Sequence, residues 1–264
     1  MSKLSKRQFL IDRPKKKPFF SVITVVKNNQ KNMIKTIDSI EKQKFKNFEY
    51  IVIDGGSKDE TIKNIMIRKK RINILMSKKD KGIYDAMNKG IKLSKGKILV
   101  FLNAGDVFTK NGLKIVYKKY IENPKVDFIF ATVKRHYTKS SIIKSGYNVK
   151  RLFFNFDFAT SHSSGFFMKK KSLQKVGKFR LKYKCSSDYD LYFRAILIHK
   201  MIGNFTGKNQ LVGIVKSGGY SSKLSFIDHL IEETRIRFDN NQNIFIVILI
   251  FINALVKRFL RYFY

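Results

Sequence analysis

Four short polar segments follow apolar runs in the first 106 residues, and each contains groups that can bind a ligand. They are Lys27-Asn28-Asn29, Asp54-Gly55-Gly56, Lys79-Asp80-Lys81-Gly82 and Asn103-Ala104-Gly105-Asp106. Carboxylates accept hydrogen bonds and hold hard cations, and lysines bind phosphate oxygens. One such segment is usually a turn or a helix cap, but four at one edge of a sheet favour a binding site.

Two further carboxylates, Asp188 and Asp190, lie in the segment SSDYDLYFRAILIHK at 186–200. Serines followed by acids in the first turn are typical of a helix N-terminus, so we expect a helix capped by Ser186 or Ser187. Side chains two positions apart on a helix point to different faces. We therefore expect only one of the two aspartates to face a crevice.

The elements that could position these residues follow from the spacing of apolar side chains. Apolar runs with strand preferences occur at 19–26, 48–54, 72–77 and 97–103, and segments with helical spacing lie between them. This alternation predicts βαβ units and a mostly parallel sheet, that is, an α/β fold. Ligands of such sheets bind beyond the carboxyl ends of the strands, where the four polar segments fall. A further strand is expected at 126–137.

Composition limits the class of protein without selecting a function. The 264 residues are 44% apolar, which suits one large domain or one domain with an appendage. The net charge of +36 attracts polyanions such as nucleic acid, anionic lipid headgroups and nucleotide phosphates, but lysine-rich codon usage explains it equally well. A single cysteine excludes an intrachain disulfide, and four histidines without a Cys/His cluster argue against structural zinc.

A family resemblance is carried by the segments VITVVKNN, VIDGGSKDET, DKGIYDAMNKGI, GKILVFLNAGD and SDYD, in this order. The chain resembles family 2 glycosyltransferases over roughly residues 19–220, in particular the bacterial branch that builds exopolysaccharide and lipopolysaccharide. The resemblance implies a GT-A fold, a nucleotide-sugar donor that is commonly a UDP-sugar, and direct transfer with inversion at the anomeric carbon. The expected acceptor is a hydroxyl of a lipid-linked or polysaccharide molecule in cell-surface glycan synthesis.

The resemblance assigns six residues to donor binding. Asp54 is expected to accept hydrogen bonds from the donor's base, because a carboxylate can only accept and the uracil ring N–H can only donate. The other five are Lys27, Asp80, Lys81, Asn88 and Asn103. Lys81 is the candidate partner of a diphosphate oxygen, and the alternative for Asn88 is simple polarity on a helix surface.

The resemblance also assigns the metal and the base. Asn103-Ala104-Gly105-Asp106 stands where many relatives carry a fuller Asp-x-Asp-Asp, so Asp106 is the expected ligand of Mg²⁺ or Mn²⁺, with Asn103 as a neutral second ligand. Binding without the donor should be weak. Asp188 matches the family's general base, which takes the acceptor proton, and Asp190 is expected to cap the helix or form an ion pair.

Two more segments carry expectations from the same resemblance. His162, in SHSSGFF, falls where relatives carry a histidine near the acceptor or the metal, and a purely structural role is an equal alternative. GGYSS at 218–222 resembles the family's late glycine loop, which is expected to close over the donor.

The two ends of the chain are expected to lie outside the catalytic domain of residues 19–240. Residues 1–18 are basic and lack the apolar core of a secretory signal, so a flexible arm is expected. Residues 241–264 contain the thirteen-residue run IFIVILIFINALV, which is short for a membrane crossing and is followed by basic and aromatic side chains. We expect this helix to lie on an anionic membrane and to hold a cytoplasmic enzyme at the inner face. The alternative is a helix packed on its own domain or on a dimer partner.

Two other function classes are open on the residues alone. A nucleic-acid-binding protein would use the +36 charge, but no helix-turn-helix, RRM or KH signature occurs, so no specific nucleic-acid partner is expected. A nucleotidyltransferase on a similar sheet would need a glycine-rich phosphate loop after the first strand, which Lys27-Asn28-Asn29-Gln30 does not provide.

Overall fold

The computed structural model describes residues 8–12, 14–137, 140–155, 163–216, 218–219 and 224–263. Its strands are β1 (Gln8–Ile11), β2 (Phe20–Val26), β3 (Phe48–Asp54), β4 (Ile74–Ser77), β5 (Ile98–Phe101), β6 (Val107–Phe108), β7 (Phe128–Phe130), β8 (Thr132–His136), β9 (Ser141–Lys144), β10 (Phe166–Lys169), β11 (Gly203–Phe205) and β12 (Leu211–Lys216). Its helices are α1 (Gln30–Glu41), α2 (Thr61–Ile67), α3 (Ile83–Leu93), α4 (Gly112–Glu122), α5 (Val149–Phe154), α6 (Lys170–Val176), α7 (Ser187–Phe193), α8 (Phe226–Asp239) and α9 (Ile244–Phe263).

The main sheet has eight strands within the described residues, in the order β1-β4-β3-β2-β5-β10-β7-β11. The four central strands β4, β3, β2 and β5 run parallel, and β10 lies antiparallel between β5 and β7. A smaller sheet over the same described part of the chain has the order β6-β12-β8-β9. The predicted α/β fold with a mostly parallel central sheet is confirmed.

The helices cover both faces of the main sheet, because its central strands are apolar on both sides. In β3 the side chains of Ile51 and Ile53 pack in the same core as Met87 of α3. The alternate residues Tyr50 and Val52 pack with α1 on the opposite face. Successive side chains of a strand point to opposite faces, so one continuous apolar run serves two cores.

The apolar run at 126–137 forms two strands rather than the single predicted one. Its first part, β7, belongs to the main sheet, and its second part, β8, belongs to the smaller sheet. The break falls at Ala131, whose backbone N–H donates to the carbonyl of Gly165 at 2.7 Å. Periodicity alone does not reveal this break, because the two strands are separated by only one residue.

Part of the predicted flexible arm is ordered, which corrects that expectation for four residues. The strand β1 pairs antiparallel with β4 in the register Gln8 to Ser77 and Ile11 to Ile74. Without β1, the strand β4 would present an open edge of unpaired backbone groups, and pairing with the preceding segment covers that edge.

The two C-terminal helices form an antiparallel pair joined by residues 240–243. The guanidinium of Arg258, late in α9, lies 5.3 Å from the ring centre of Phe226, the first residue of α8. Val247 and Ile250 of α9 are buried, whereas most of its other apolar side chains are exposed. Among the helices of the described residues, none combines the length and the apolarity that a membrane crossing requires.

Candidate active site

The four polar segments lie at the carboxyl ends of neighbouring strands. Asp54, the last residue of β3, pairs in register with Val26 of β2 on one side and with Ser77 of β4 on the other. The segment at 103–106 follows β5, which pairs with β2. One edge of the sheet therefore gathers the side chains that follow β2, β3, β4 and β5.

Asp54 is fully buried, and its carboxylate is used within the protein. Its Oδ2 accepts hydrogen bonds from the N–H groups of Gly56 and Ser57, each at 3.0 Å, and from the Ser77 hydroxyl at 2.7 Å. Its Oδ1 accepts from the Ser57 hydroxyl at 2.5 Å. Its donors come from the loop that it shapes, and its side chain has no exposed surface, while direct contact with the donor's base stays a prediction.

The loop after Asp54 is held from a second side. The Ser57 hydroxyl accepts from the Asn28 N–H at 2.8 Å, and Asn28 Oδ1 accepts from the Lys58 N–H at 2.9 Å. The loops after β2 and β3 are therefore fixed to each other. The neighbouring Lys27 has an exposed side chain at this edge.

Asp80 occupies the space beside Gly55. A Cβ atom at position 55 would lie 2.2 Å from Asp80 Oδ2, so glycine is required there for the carboxylate to approach the loop. The Asp80 side chain is half-buried, and its Oδ1 accepts from the Gly82 N–H at 3.1 Å. Asp80 thus presents a partly exposed carboxylate next to the loop that Asp54 holds, with the exposed Lys81 following it.

Asn88 makes a structural contact within the protein, and its predicted donor contact stays a prediction. Its Nδ2 donates to the carbonyl of Phe179 at 2.9 Å, and its Oδ1 accepts from the N–H of Phe179 at 3.1 Å. The amide therefore mimics a strand partner and fixes the segment before α7 against α3. Spacing placed Asn88 on a helix, but only the tertiary structure shows which backbone it meets.

Asn103 and Asp106 lie in one tight turn, with the Asp106 N–H donating to the Asn103 carbonyl at 3.0 Å. Asp106 is buried and accepts at Oδ2 from the Ser164 hydroxyl at 2.6 Å and at Oδ1 from the Lys216 N–H at 3.3 Å. Asn103 Nδ2 donates to the Ser163 hydroxyl at 3.0 Å, while its Oδ1 is buried and has no hydrogen-bond partner among the described residues.

This turn fits a divalent cation with a small set of protein ligands. An amide oxygen without a partner and a carboxylate with further acceptor capacity are hard oxygen donors of the kind that Mg²⁺ and Mn²⁺ prefer. Within the described ranges, no group of three or more His, Cys, Asp or Glu side chains could hold a metal ion. His162 lies outside the described residues, as do positions 220–222 of the predicted glycine loop at 218–222.

Asp188 lies in the first turn of α7 and is half-buried. Its Oδ1 accepts from the Tyr189 N–H at 2.9 Å and from the Tyr84 hydroxyl at 3.3 Å. Burial raises the pKa of Asp188 from 3.8 to about 6, and these two donors together with the charge of His229 offset only part of the rise. A carboxylate with this pKa is ionised at neutral pH and basic enough to accept a proton.

Asp190 has the ion-pairing role expected for it. It is fully buried, and its Oδ2 accepts from Arg194 Nε at 2.9 Å while its Oδ1 pairs with Arg180 at 3.1 Å. Asn240, at the end of α8, donates to the same Oδ1 at 3.0 Å. The two aspartates of α7 therefore face different surroundings, as their spacing predicts.

Glu232 of α8, which the sequence does not single out, holds the segment that leads into α7. Its carboxylate accepts from the N–H groups of Lys184, Cys185 and Ser186 at 2.5 to 2.8 Å and from the Cys185 thiol at 2.9 Å. Ser186 precedes the helix but makes no side-chain cap bond, which corrects the expectation that it caps α7. Burial and Glu232 raise the pKa of Cys185 to about 12, so the thiol stays a donor.

The sequence profile of glycosyl transferase family 2 matches residues 21–199, which is more than half of the chain. The chain therefore belongs to glycosyl transferase family 2 and is a glycosyltransferase. The match contains β3 to β5, α7 and all of β2 except its first residue, whereas Glu232 and Asn240 of the C-terminal part lie beyond it.

One similar protein is a PGL/p-HBAD biosynthesis glycosyltransferase of Mycobacterium bovis (strain BCG / Pasteur 1173P2), 29% identical over 183 residues. The alignment covers 67% of this chain and 69% of that protein.

Two solved structures share the fold. TarS 1-349 of S. aureus in complex with UDP-GlcNAc has a TM-score of 0.67 and 16% identity, over 83% of this chain and 66% of that chain. This chain spans only 39% of the longer TarS chain. The mannosyltransferase PcManGT of Pyrobaculum calidifontis, in complex with GDP-Man and Mn2+, has a TM-score of 0.64 and 14% identity, over 93% and 70% of the two chains. At these identities the likeness shows the GT-A fold alone.

Proposed function

We propose that the chain transfers a sugar from a UDP-linked donor, with inversion at the anomeric carbon, to a hydroxyl of a lipid-linked or polysaccharide acceptor in cell-surface glycan synthesis. The observation that carries this proposal is Asp188, a half-buried carboxylate at a helix start whose pKa is about 6. It contacts Tyr84, only four residues after Asp80 at the donor edge of the sheet. The candidate base therefore contacts the start of α3, directly after the donor loop.

The donor side of the proposal rests on the edge where β2 to β5 end. TarS binds UDP-GlcNAc and PcManGT binds GDP-Man, and both have the fold of this chain. Here Asp80 offers the partly exposed carboxylate that can accept from a uracil N–H, next to the loop organised by Asp54. Lys27 and Lys81 are the exposed cations that can approach the diphosphate.

Chemical transfer then requires a proton acceptor and a leaving group. Asp188 takes the proton of the acceptor hydroxyl while the hydroxyl oxygen bonds to the anomeric carbon. The bond between that carbon and the diphosphate oxygen breaks, and its electron pair leaves with UDP. The proton resides on the Asp188 carboxylate, and a pKa of about 6 allows its release to water at neutral pH.

Mg²⁺ or Mn²⁺ would be held by Asp106 and Asn103 together with donor oxygens. When bound, the ion would offset the negative charge that develops on the departing diphosphate. We expect Asp106→Ala to weaken Mn²⁺ binding in the presence of UDP by at least about tenfold, measured by titration calorimetry, because the turn loses its ionised ligand. Lys110→Ala, after the same turn, is the control and should leave Mn²⁺ binding unchanged. Equal Mn²⁺ binding by all three proteins would place the ion elsewhere.

Titration calorimetry with UDP, GDP and UDP-GlcNAc in the presence of Mn²⁺ tests the donor class. We expect UDP to bind and Asp80→Asn to weaken it, because the neutral side chain loses half of its acceptor capacity. Lys79→Gln changes the charge of the adjacent exposed residue and serves as the control. Binding of GDP in place of UDP, or UDP binding that Asp80→Asn leaves intact, would contradict this assignment.

The acceptor and the location are proposed from α9. Its exposed apolar side chains recur with a helical period on one face: Phe245, Ile248, Leu249, Ile252, Val256, Phe259 and Leu260. The exposed Lys257 and Arg258 follow the apolar run. An apolar face next to cations suits a helix lying on an anionic membrane, which would hold the enzyme at the inner face of the cytoplasmic membrane near lipid-linked acceptors.

Vesicle co-sedimentation tests this location. We expect the full chain to bind vesicles that contain phosphatidylglycerol, and the triple variant Phe245→Asp, Leu249→Asp, Ile252→Asp to lose most of that binding. A control triple, Ile67→Asp, Leu181→Asp, Ile202→Asp, puts the same charges on exposed apolar residues elsewhere. If both triple variants lost vesicle binding equally, binding would depend on net charge rather than on α9. If the full chain did not bind the vesicles at all, the membrane proposal would be ruled out.

A further inference from the structure

A second concave site lies at the opposite edge of the main sheet, where β2, β3 and β5 begin. It has a volume of about 1050 Å³, and Phe19, Glu49 and Ile98 are part of its wall. The donor edge, where these parallel strands end, lies across the whole length of the sheet. Nothing in the proposed sugar transfer uses this cavity.

The wall of the cavity is strongly basic. Eight lysines line it, at positions 15–17, 95, 97 and 169–171, and Glu49 is the one acidic residue among its lining residues. Glu49 is fully buried, and its Oε1 accepts from the Ser21 hydroxyl at 2.6 Å and from the Gly96 N–H at 3.1 Å. The carboxylate is therefore directed into the sheet edge, and the lining carries a formal charge of +7.

The shape of the cavity is fixed by residues that restrict the backbone. All three prolines of the chain, Pro14, Pro18 and Pro124, line it. Two of them flank the three lysines at 15–17, so the segment that carries these cations has little backbone freedom. The Pro18 carbonyl accepts from the Lys97 N–H at 3.2 Å, which ties this segment to the start of β5.

Apolar groups and fixed amines complete the wall. Phe19 and Tyr120 lie 6.3 Å apart between ring centres, and Ile121 beside them is 58% exposed. Lys169 Nζ donates to the Pro124 carbonyl at 2.6 Å and Lys170 Nζ to the Ser94 carbonyl at 2.5 Å, so two of the cations are held in place. The cavity thus combines cations at its rim with an apolar surface.

We propose that this cavity binds a ligand in which two or more phosphate charges stand next to an apolar group. Lysine amines bind phosphate oxygens as point charges, and several on a stiff rim favour a multiply charged ligand over a single one. The aromatic and proline surface gives the apolar part of the ligand a place to pack. Such chemistry is found in soluble organic polyphosphates and in the headgroup region of anionic lipids.

Two probes, both used at 150 mM salt, distinguish a soluble polyphosphate from a lipid headgroup. Inorganic tripolyphosphate is titrated calorimetrically in the presence of saturating UDP, and vesicles of phosphatidylglycerol are used for co-sedimentation. The cavity variant is Lys16→Gln, Lys97→Gln, Lys171→Gln, which removes one exposed cation from each of three segments. The control variant is Lys35→Gln, Lys42→Gln, Lys110→Gln, which removes three exposed cations from a different cavity of about 520 Å³.

We expect the cavity variant to bind at least one of the two probes at least tenfold more weakly than the control variant does, with unchanged thermal unfolding. A loss confined to tripolyphosphate identifies a soluble polyphosphate site, and a loss confined to vesicles identifies a lipid headgroup site. The proposal is overturned if neither probe binds, if both variants lose binding equally, or if UDP displaces tripolyphosphate completely.

Discussion

Asp54 and Asp188 are two carboxylates at the ends of secondary-structure elements, in opposite surroundings. Asp54 is fully buried and accepts four hydrogen bonds, from Gly56, Ser57 and Ser77. Asp188 accepts at Oδ1 from Tyr189 and Tyr84, and burial raises its pKa to about 6. A carboxylate that accepts several hydrogen bonds from its own loop holds that loop in place, whereas a poorly solvated one retains affinity for a proton. The first shapes a site, and the second can do chemistry in it.

The sharpest test of this contrast is Asp188→Asn, which removes the base. We expect turnover to fall by about 10² or more while UDP binding stays within about twofold, because general-base catalysis contributes this much. Initial rates with a cognate donor and calorimetry with UDP measure the two quantities. Near-normal turnover in this variant would assign the base to another residue.

The same variant, which should lose turnover, should gain stability at neutral pH. The folded-state pKa of about 6 lies above the ordinary value of 3.8, so Asp188 contributes stability below pH 4 that is lost as the pH rises through 6. The difference in melting temperature between Asp188→Asn and the unmodified chain should therefore be more positive at pH 7.5 than at pH 4. Asp190→Asn is the contrast and should unfold at lower temperature at pH 7.5, because it weakens buried pairs with Arg194 and Arg180.

Asp54→Asn should have the next largest effect, and on binding rather than on turnover. The amide cannot accept from all of the groups that the carboxylate holds, so we expect UDP binding to weaken by roughly 1.5–3 kcal/mol and the melting temperature to fall as well. Ser77→Ala removes only one of these hydrogen bonds and should give a smaller change of the same kind. If Asp54→Asn weakened UDP binding without any loss of thermal stability, direct contact with the base would be supported as its role.

The two carboxylates also differ in the sequence separation between each of them and the residues that surround it. The partners of Asp54 are two to 23 positions away, and the strand, the glycine turn and the polar edge could all be predicted from apolar spacing and turn residues. The Ser57 hydroxyl donates to Asp54 rather than to the start of α2, and Glu60, the residue before α2, makes no side-chain cap bond. Local chemistry thus identified the residues of this loop but not which of them would meet.

The surroundings of Asp188 depend on tertiary structure instead. Its partner Tyr84 is 104 positions away, and Glu232 contacts the segment before α7 from 46 to 48 positions away. No local spacing predicts these contacts, although Tyr84 lies inside the DKGIYDAMNKGI segment. A family resemblance singles out Asp188 as the candidate base, whereas its raised pKa could not be predicted, because burial is a property of the whole fold.

Glu232→Gln tests whether the base is positioned from outside its own helix. The carboxylate accepts from three consecutive N–H groups before α7 and from the Cys185 thiol. Burial raises the pKa of Glu232, but these hydrogen bonds outweigh burial, so the net shift of the pKa is downward. We expect turnover to fall roughly tenfold with little change in UDP affinity, since about 1.4 kcal/mol of lost positioning corresponds to that factor. Cys185→Ala keeps the three N–H bonds and should change turnover by less. An effect of Glu232→Gln on UDP affinity alone would contradict this role.

Tyr84→Phe should have the smallest effect, and it should be visible in the pH profile. Turnover of the unmodified chain should fall as the pH drops through about 6, because a protonated Asp188 cannot accept the acceptor's proton. The Tyr84 hydroxyl donates to Asp188 Oδ1 at 3.3 Å and favours the ionised form, so its removal should raise the pKa and move the acid limb to higher pH by a fraction of a unit to about one unit. Above pH 8 the two proteins should turn over equally.

Tyr50→Phe is the control, because it removes another buried hydroxyl, which donates to Thr24 at 3.0 Å, and the acid limb of this variant should stay in place. An acid limb that Tyr84→Phe leaves unmoved, or moves to lower pH, would mean that a group other than Asp188 controls the rate.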